Sequence, residues 1–310
     1  TMTSPGNPMS RSKRGLNIHG IVLLDKPVGI TSNRALQKVR GIFQARKAGH
    51  TGSLDPFATG MLPICLGEAS KTASFMLEAG KYYRATARLG EATTTGDVEG
   101  EVIQTTALPD ASLEHIEGVL AQFAGEIQQV PPMYSALKHD GKPLYEYARA
   151  GIEIERPART VTIHRIELIA WQSPLLTFDV HCSKGTYIRT LAEDIARALG
   201  SCAHLVELRR LTVEPFAGMT MHTLEQLQQM HEKDSLKDCL LPVDVGLGDW
   251  PKVTLDHIQQ AKFSHGNPFE YQPPGAVEGR VRVYGADVNL LGLALLQADG
   301  VLKALKVFNL

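Results

Sequence analysis

Apolar positions recur along this chain with two periods, marking strands and helices in turn. Ile18 to Leu24 is a short, nearly unbroken apolar run that reads as a buried strand ending at Asp25-Lys26-Pro27. Ser32 is placed to cap a helix reaching about Phe43, with Ala35, Leu36, Val39, Ile42 and Phe43 on one face and Arg34, Gln37 and Lys38 on another. From Tyr82 to Leu89 the period falls to two: Tyr83, Ala85, Ala87 and Leu89 form a mostly apolar face, alternating with Tyr82, Arg84, Thr86 and Arg88. Helical spacing returns over residues 112–124 through Leu113, Ile116, Leu120 and Phe123, closed by Gly125. Leu176, Phe178, Val180 and Cys182 predict another strand, stopped by Ser183-Lys184-Gly185. A helix follows from about Ile188 to Leu199, with Gly200 beyond its end.

Residues 131–160 interrupt this pattern. Two prolines lead into Met133-Tyr134-Ser135-Ala136-Leu137-Lys138, and Tyr145, Tyr147 and Arg149 follow on a short helix starting at Pro143. Interleaved rings and cations on one segment suit RNA, because rings stack on bases and cations meet phosphates; the same tyrosines would equally pack a small satellite core. Thr223-x-x-Gln226 caps a helix to about His231, and the apolar Leu240–Leu247 stretch runs to Trp250-Pro251. Beyond it only short strands are expected, among them Arg280–Tyr284 and a hairpin of Leu290–Leu296 with Val301–Phe308 through Ala298-Asp299-Gly300. Helices and strands mix irregularly rather than in βαβ repeats. The expected class is α+β, with a central mixed, largely antiparallel sheet flanked by helices and a small C-terminal β-barrel. The chain then divides into a loose tail (1–15), a large domain (16–248) and a small one (249–310).

Composition narrows the class only modestly. An apolar share of 43% and a charged share of 21% are ordinary for a globular protein, and no run approaches the ~18 apolar residues of a membrane span. Thr1–Ser10 is polar and lacks the apolar stretch of a signal peptide. The four cysteines, Cys65, Cys182, Cys202 and Cys239, form no Cys-x-x-Cys pair and fit no zinc spacing, so free thiols in a reducing cytoplasm and no metal are expected. Net charge is −1, yet residues 1–50 carry nine Lys/Arg against the single acid Asp25. Residues 51–130 carry four against eleven. A basic footprint on an otherwise acidic molecule attracts RNA locally. A solvated helix face with a basic tail would look the same.

The sharpest chemical signal is Gly49-His50-Thr51-Gly52-Ser53-Leu54-Asp55-Pro56-Phe57-Ala58-Thr59-Gly60. Glycines allow unusual backbone angles there, and Pro56 pushes Asp55 toward an extended conformation, so the carboxylate is aimed. By itself this could be a surface turn. The string, however, resembles closely the catalytic loop of the TruB family, the bacterial-type tRNA pseudouridine-55 synthases. Leu23-Leu24-Asp25-Lys26-Pro27-Val28-Gly29-Ile30-Thr31-Ser32 is similar to that family's first motif, and Lys81-Tyr82-Tyr83-Arg84 to the segment carrying its base-stacking tyrosine. Cys182–Arg189 and Leu208-Arg209-Arg210-Leu211 match two more, in the family's order.

The resemblance implies a pseudouridine-synthase fold with a PUA-like C-terminal domain, and isomerisation of the T-loop uridine at tRNA position 55. That reaction neither adds nor removes atoms and needs no cofactor. It implies Asp55 as nucleophile, Tyr83 as the ring stacked on the flipped base, and Arg189 as the ion-pair partner of Asp55. His50 would fill or border the space the base leaves, while Tyr187 and Leu208 would line the uridine pocket. Lys26 and Pro27 would support the loop, and Arg209 and Arg210 would reach phosphates or lie exposed on a helix. The T-arm stem-loop of tRNA would be the partner, read directly by a monomer, with no guide RNA and no membrane. Thr94 stands where many relatives carry an extra acid, which leaves Asp97 available in a structural or RNA-positioning role. An RNA-folding factor is the second reading. An Asp-nucleophile hydrolase is the third, but no second catalytic carboxyl group is evident.

Overall fold

The computed structural model describes residues 15–310, so all of the expected tail except Gly15 lies outside the described residues. The chain runs through β1 (Gly20–Lys26), α1 (Ser32–Phe43), β2 (Ala48–His50), β3 (Thr59–Leu66), α2 (Ala73–Met76) and β4 (Lys81–Leu89). A ribbon of β5 (Glu91–Thr93) and β6 (Val102–Thr105) leads to α3 (Leu113–Ala121) and β7 (Gly125–Gln129). The excursion holds a second ribbon, β8 (Lys138–His139) and β9 (Lys142–Pro143), followed by α4 (Leu144–Arg149). Then come β10 (Arg159–Gln172), β11 (Leu175–Cys182), α5 (Ile188–Ala198), β12 (Ala203–Val213) and α6 (Leu224–Glu232). The C-terminal part is β13 (Lys252–Thr254), α7 (His257–Ser264), β14 (Phe269–Glu270), β15 (Gly279–Tyr284), β16 (Leu290–Leu296) and β17 (Val301–Val307).

The large sheet is ordered β1-β3-β12-β4-β11-β10-β7, with β2 on β3; all of its pairings are antiparallel except β3 with β12. It is the mixed, largely antiparallel α+β sheet expected. Val22 and Leu24 of β1 enter the core beneath α1 and α5, whereas Ile21 and Leu23 enter a second core on the other face. Burial on both faces explains why this strand reads as an unbroken apolar run. The second core also takes Leu293 and Phe308 from the C-terminal part, so the two parts pack through shared apolar side chains. Polar latches reinforce the joint: Lys71 donates to the Val307 carbonyl at 2.7 Å, and the Asn309 N–H donates to Glu68 at 3.0 Å. The C-terminal sheet, ordered β13-β15-β16-β17-β14, curls into a half-barrel of the PUA-like kind.

Several expectations need correction. Thr31, not Ser32, caps α1 by accepting the Arg34 N–H, which frees the Ser32 hydroxyl for another task. Helix α3 stops at Ala121, and Gly125, at φ +94, opens β7 rather than closing the helix. The C-terminal part is not all strand: Asp256 and Gln259 form a capping box that starts α7, whose weak apolar periodicity hides it. Arg209 and Arg210 lie on strand β12, not on a helix.

One close approach sets the sheet's geometry beside the loop. Gly60 of β3 pairs with Arg210 of β12, and a Cβ on Gly60 would lie 2.1 Å from the Arg210 carbonyl oxygen. Its φ of +106 also disfavours any side chain. Gly60→Ala should therefore lower the unfolding free energy in urea by roughly 2 kcal/mol or more. An unchanged midpoint would show that the two strands are not in tight contact.

Candidate active site

The 49–60 loop joins β2 to β3 and is held by side chains whose polar atoms are nearly all spent on backbone. The Ser32 hydroxyl accepts the Leu54 N–H at 2.8 Å and donates to the Leu54 carbonyl at 3.1 Å. Lys26, fully buried at the end of β1, donates to the carbonyls of Pro27 (2.7 Å), Ile30 (2.9 Å) and Pro56 (3.3 Å). Burial lowers its pKa to about 8, against the pull of Asp55. Arg210, 1% exposed, donates from Nε to the Met61 carbonyl (2.7 Å) and from Nη2 to the Gly52 carbonyl (3.1 Å). A buried cation is costly unless its protons are satisfied; here carbonyls of the loop and its flanks satisfy them.

On the cleft side the loop presents Asp55. Its Oδ2 lies 2.9 Å from Nε of Arg189, in the first turn of α5. Arg189 is 5% exposed and spends its other nitrogens on carbonyls: Nη1 to Thr95 (2.8 Å) and Nη2 to Tyr134 (2.7 Å). One guanidinium thus ties the loop, the turn after β5 and the start of the 131–160 excursion. The Asp55 side chain keeps 37% exposure, all that the surrounding protein leaves it. Burial raises its pKa, and Arg189 only partly offsets that rise. Asp97 adds to the rise as a nearby like charge. Its Oδ1 accepts the Thr95 hydroxyl at 2.7 Å and the Glu99 N–H at 2.9 Å, fixing the turn on which Arg189 leans. Thr94 accepts the Glu101 N–H at 3.2 Å.

Asp55 and Arg189 open on a cleft of about 280 Å³, at the small end of ordinary ligand sites. Tyr83 of β4 and Leu208 of β12 line it, 8% and 7% exposed, together with Tyr187 just before α5. Gln129 brackets the Tyr187 residue: it accepts the Tyr187 N–H at 3.0 Å and donates to the Tyr187 carbonyl at 3.2 Å. Burial raises the pKa of both tyrosine hydroxyls. Ser135, Lys81 and Arg210 are among the polar residues that also line it.

His50 stands outside this wall, its Nδ1 accepting the Gly52 N–H at 3.3 Å, and burial lowers its pKa. Pro27 is exposed and contributes its carbonyl to Lys26. Arg209 forms a two-pronged pair with Asp25 (3.0 and 2.9 Å), so neither it nor Arg210 is a free phosphate cation as expected. Other cations are unpaired: Arg34 and Lys38 of α1 and Arg46 and Lys47 after it are exposed and form no ion pair among the described residues. Sequence reasoning missed Ser32, Gln129 and Arg210 as positioning residues. Only Arg210 left a signal, since period two places it on the face of Leu208. No group of three or more His, Cys, Asp or Glu side chains suited to a metal occurs among the described residues.

With ¹³C-labelled aspartate, the Asp55 carboxyl should titrate above the ordinary value of about 3.9. Asp97→Asn should lower that pKa, because it removes the like charge while its amide oxygen still accepts both hydrogen bonds. A pKa that does not move would show that the two carboxylates are uncoupled.

Residues 40–188 match the TruB family pseudouridylate synthase N-terminal domain. Residues 189–248 match the tRNA pseudouridylate synthase B C-terminal domain, and 251–308 the C-terminal domain of pseudouridine synthase II TruB. The chain is 51% identical over 312 residues to tRNA pseudouridine synthase B of Burkholderia pseudomallei, covering 97% of this chain and 96% of that one. It is 47% identical over 300 residues to that of Actinobacillus succinogenes, covering 96% of each. Among solved structures, a Cbf5-Nop10-Gar1 complex contains a chain that superposes with a TM-score of 0.72 at 27% identity, over 94% of this chain and 85% of that one. No helix among the described residues is long and apolar enough to cross a membrane. With motif, fold and whole-length similarity in agreement, the chain belongs to the TruB family of pseudouridylate synthases.

Proposed function

We propose that this chain converts the uridine at position 55 in the T loop of tRNA to pseudouridine, reading the RNA directly as a cytoplasmic monomer without guide RNA or cofactor. One observation carries the reading: in a chain of this family, Asp55 is held by Arg189 at the wall of a cleft of about 280 Å³. The relatives are named for tRNA pseudouridine synthesis, and the exposed cations of α1 and the following segment suit an RNA backbone.

The target base lies inside folded RNA and must be swung out, at a cost of about a few kcal/mol. Stacking on Tyr83 returns about 1–3 kcal/mol. Leu208 and Tyr187 close the pocket around the ring, and His50, at the start of the loop, borders the place the base vacates in the RNA. Asp55, ionised, attacks the nucleoside while the glycosidic bond is opened. Arg189 keeps that carboxylate charged and directed against the desolvation that raises its pKa. Lys26 and Pro27 hold the loop at its base. Residues 16–248 form the catalytic domain in this reading, 131–160 clasp the T arm, and 249–310 add RNA contacts. Opening and reforming the T loop through these contacts also assists tRNA folding.

Asp55→Asn should abolish pseudouridine formation on a T-arm stem-loop, slowing single turnover by ~10⁴-fold or more. The dissociation constant for the RNA should stay within about threefold, because the cations and the stacking ring remain. Retained turnover would remove Asp55 from the chemistry, and product at another uridine would remove the T-loop assignment.

A further inference from the structure

The cleft contains a cation with no role in the account above. Lys81 opens β4 and lies two residues from Tyr83, so both side chains project from the same face of the strand. It lines the cleft and is only 8% exposed. Its ammonium donates to the carbonyls of Leu77 (3.3 Å) and Ala79 (2.8 Å), which leaves one of three protons unspent. It forms no ion pair among the described residues, whereas Lys184 at the cleft is exposed and paired with Glu78 at 2.5 Å. A buried, unpaired ammonium is costly to a fold and rare without a ligand or a task.

Position decides what the free proton meets. A phosphate of the bound strand would pass outside the cleft, within reach of exposed cations. Lys81 sits inside, about 7 Å along the strand from the ring proposed to stack the base. With a base stacked on Tyr83 as proposed, the edge of the pyrimidine would lie there. We propose that Lys81 holds a carbonyl oxygen of the flipped uracil and serves as counter-charge to the detached ring. This rests on the activity proposed above.

The chemistry suits a lysine. When the C1′–N1 bond breaks, its electron pair stays with the ring, spread over N1, O2 and O4. The ring then turns, C5 bonds to C1′, C5 gives up its proton and N1 takes one up, so atoms and charge balance with no co-reactant. Uracil is nearly two-fold symmetric about its N3–C6 axis, so the turn that exchanges N1 for C5 also exchanges O2 for O4. A donor that reaches one carbonyl before the turn reaches the other after it. An ammonium on a flexible stem follows that exchange better than a rigid fork would.

Burial, aided by Arg210 of β12, lowers the Lys81 pKa to about 8. Glu214 after β12, Glu78 after α2 and Cys182 of β11 act in the opposite direction. The cation is therefore present below about pH 8 and lost above it, so kcat/KM should fall as pH rises through that value. Lys26 titrates in the same range, so the informative comparison is between variant and wild-type profiles.

The test is single-turnover pseudouridine formation on a T-arm stem-loop by wild type, Lys81→Arg and Lys81→Met. Lys81→Met should be slower by about 10²-fold, the scale for losing one donor to a developing anion. Its thermal midpoint and RNA affinity should match wild type, and its decline above pH 8 should be shallower. Lys81→Arg should recover part of the rate. Independently of any variant's folding, the wild type should be slowed by 4-thiouridine at the target position, because sulfur accepts a hydrogen bond less well. A Lys81→Met enzyme with wild-type rate and profile would overturn the assignment, as would a wild type indifferent to 4-thiouridine. Absence of pseudouridine with the wild type on ordinary RNA would instead overturn the activity itself.

Discussion

The contact on which this molecule turns is the three-way grip of one guanidinium. Arg189 meets the Asp55 carboxylate with Nε, the Thr95 carbonyl with Nη1 and the Tyr134 carbonyl with Nη2, at 2.9, 2.8 and 2.7 Å. These partners come from segments far apart in sequence. Removing such a cation from water is expensive, and it is tolerated because every partner is a carbonyl or a carboxylate. A lysine would carry the same charge but could not address three directions in one plane. The helix behind Arg189 begins immediately after Tyr187, whose own backbone is locked by Gln129. Placement of the guanidinium and shape of the pocket wall are therefore set by the same few bonds.

A second set of buried cations holds the backbone of the loop. Lys26 and Arg210 hold carbonyls before and after Asp55, and Ser32 pins the residue next to it. The loop is thus fixed among three buried cations, Arg189, Lys26 and Arg210, which favour a negative charge at its tip. Desolvation and Asp97 oppose that preference and raise the Asp55 pKa. A partly desolvated carboxylate is a stronger nucleophile than a hydrated one, provided it stays ionised. The geometry balances these demands, and the same balance recurs at Lys81.

Much of this was legible in the chain because it rests on local pattern. The alternation at 82–89, the helical spacing from Ala35 to Phe43 and the glycine-framed Asp55 each report a physical constraint felt by neighbouring residues. The pairing of Asp55 with Arg189 is not local; only resemblance suggested it. Arg209-Arg210 was misread because a charged doublet looks exposed unless one knows which carbonyls await it. Ser32 was misassigned because a serine beside a threonine leaves the cap ambiguous, and the Leu54 backbone settles which hydroxyl is free. Helix α7 buries little beyond Phe263, so its sequence carries almost no apolar stripe.

The C-terminal half-barrel shares an apolar core with β1, β3 and β12, so it is seated against the strands that carry the loop. The 131–160 excursion, by contrast, touches the centre through the Tyr134 carbonyl, on the same guanidinium that directs Asp55. In the function proposed, closure of that segment on RNA and orientation of the nucleophile would share one side chain. The most direct test is single-turnover pseudouridine formation by Arg189→Lys, with RNA affinity measured in parallel. The account predicts a rate lowered by about 10²-fold or more with affinity little changed, because charge is kept and the three-way geometry is lost. A rate equal to wild type would contradict it.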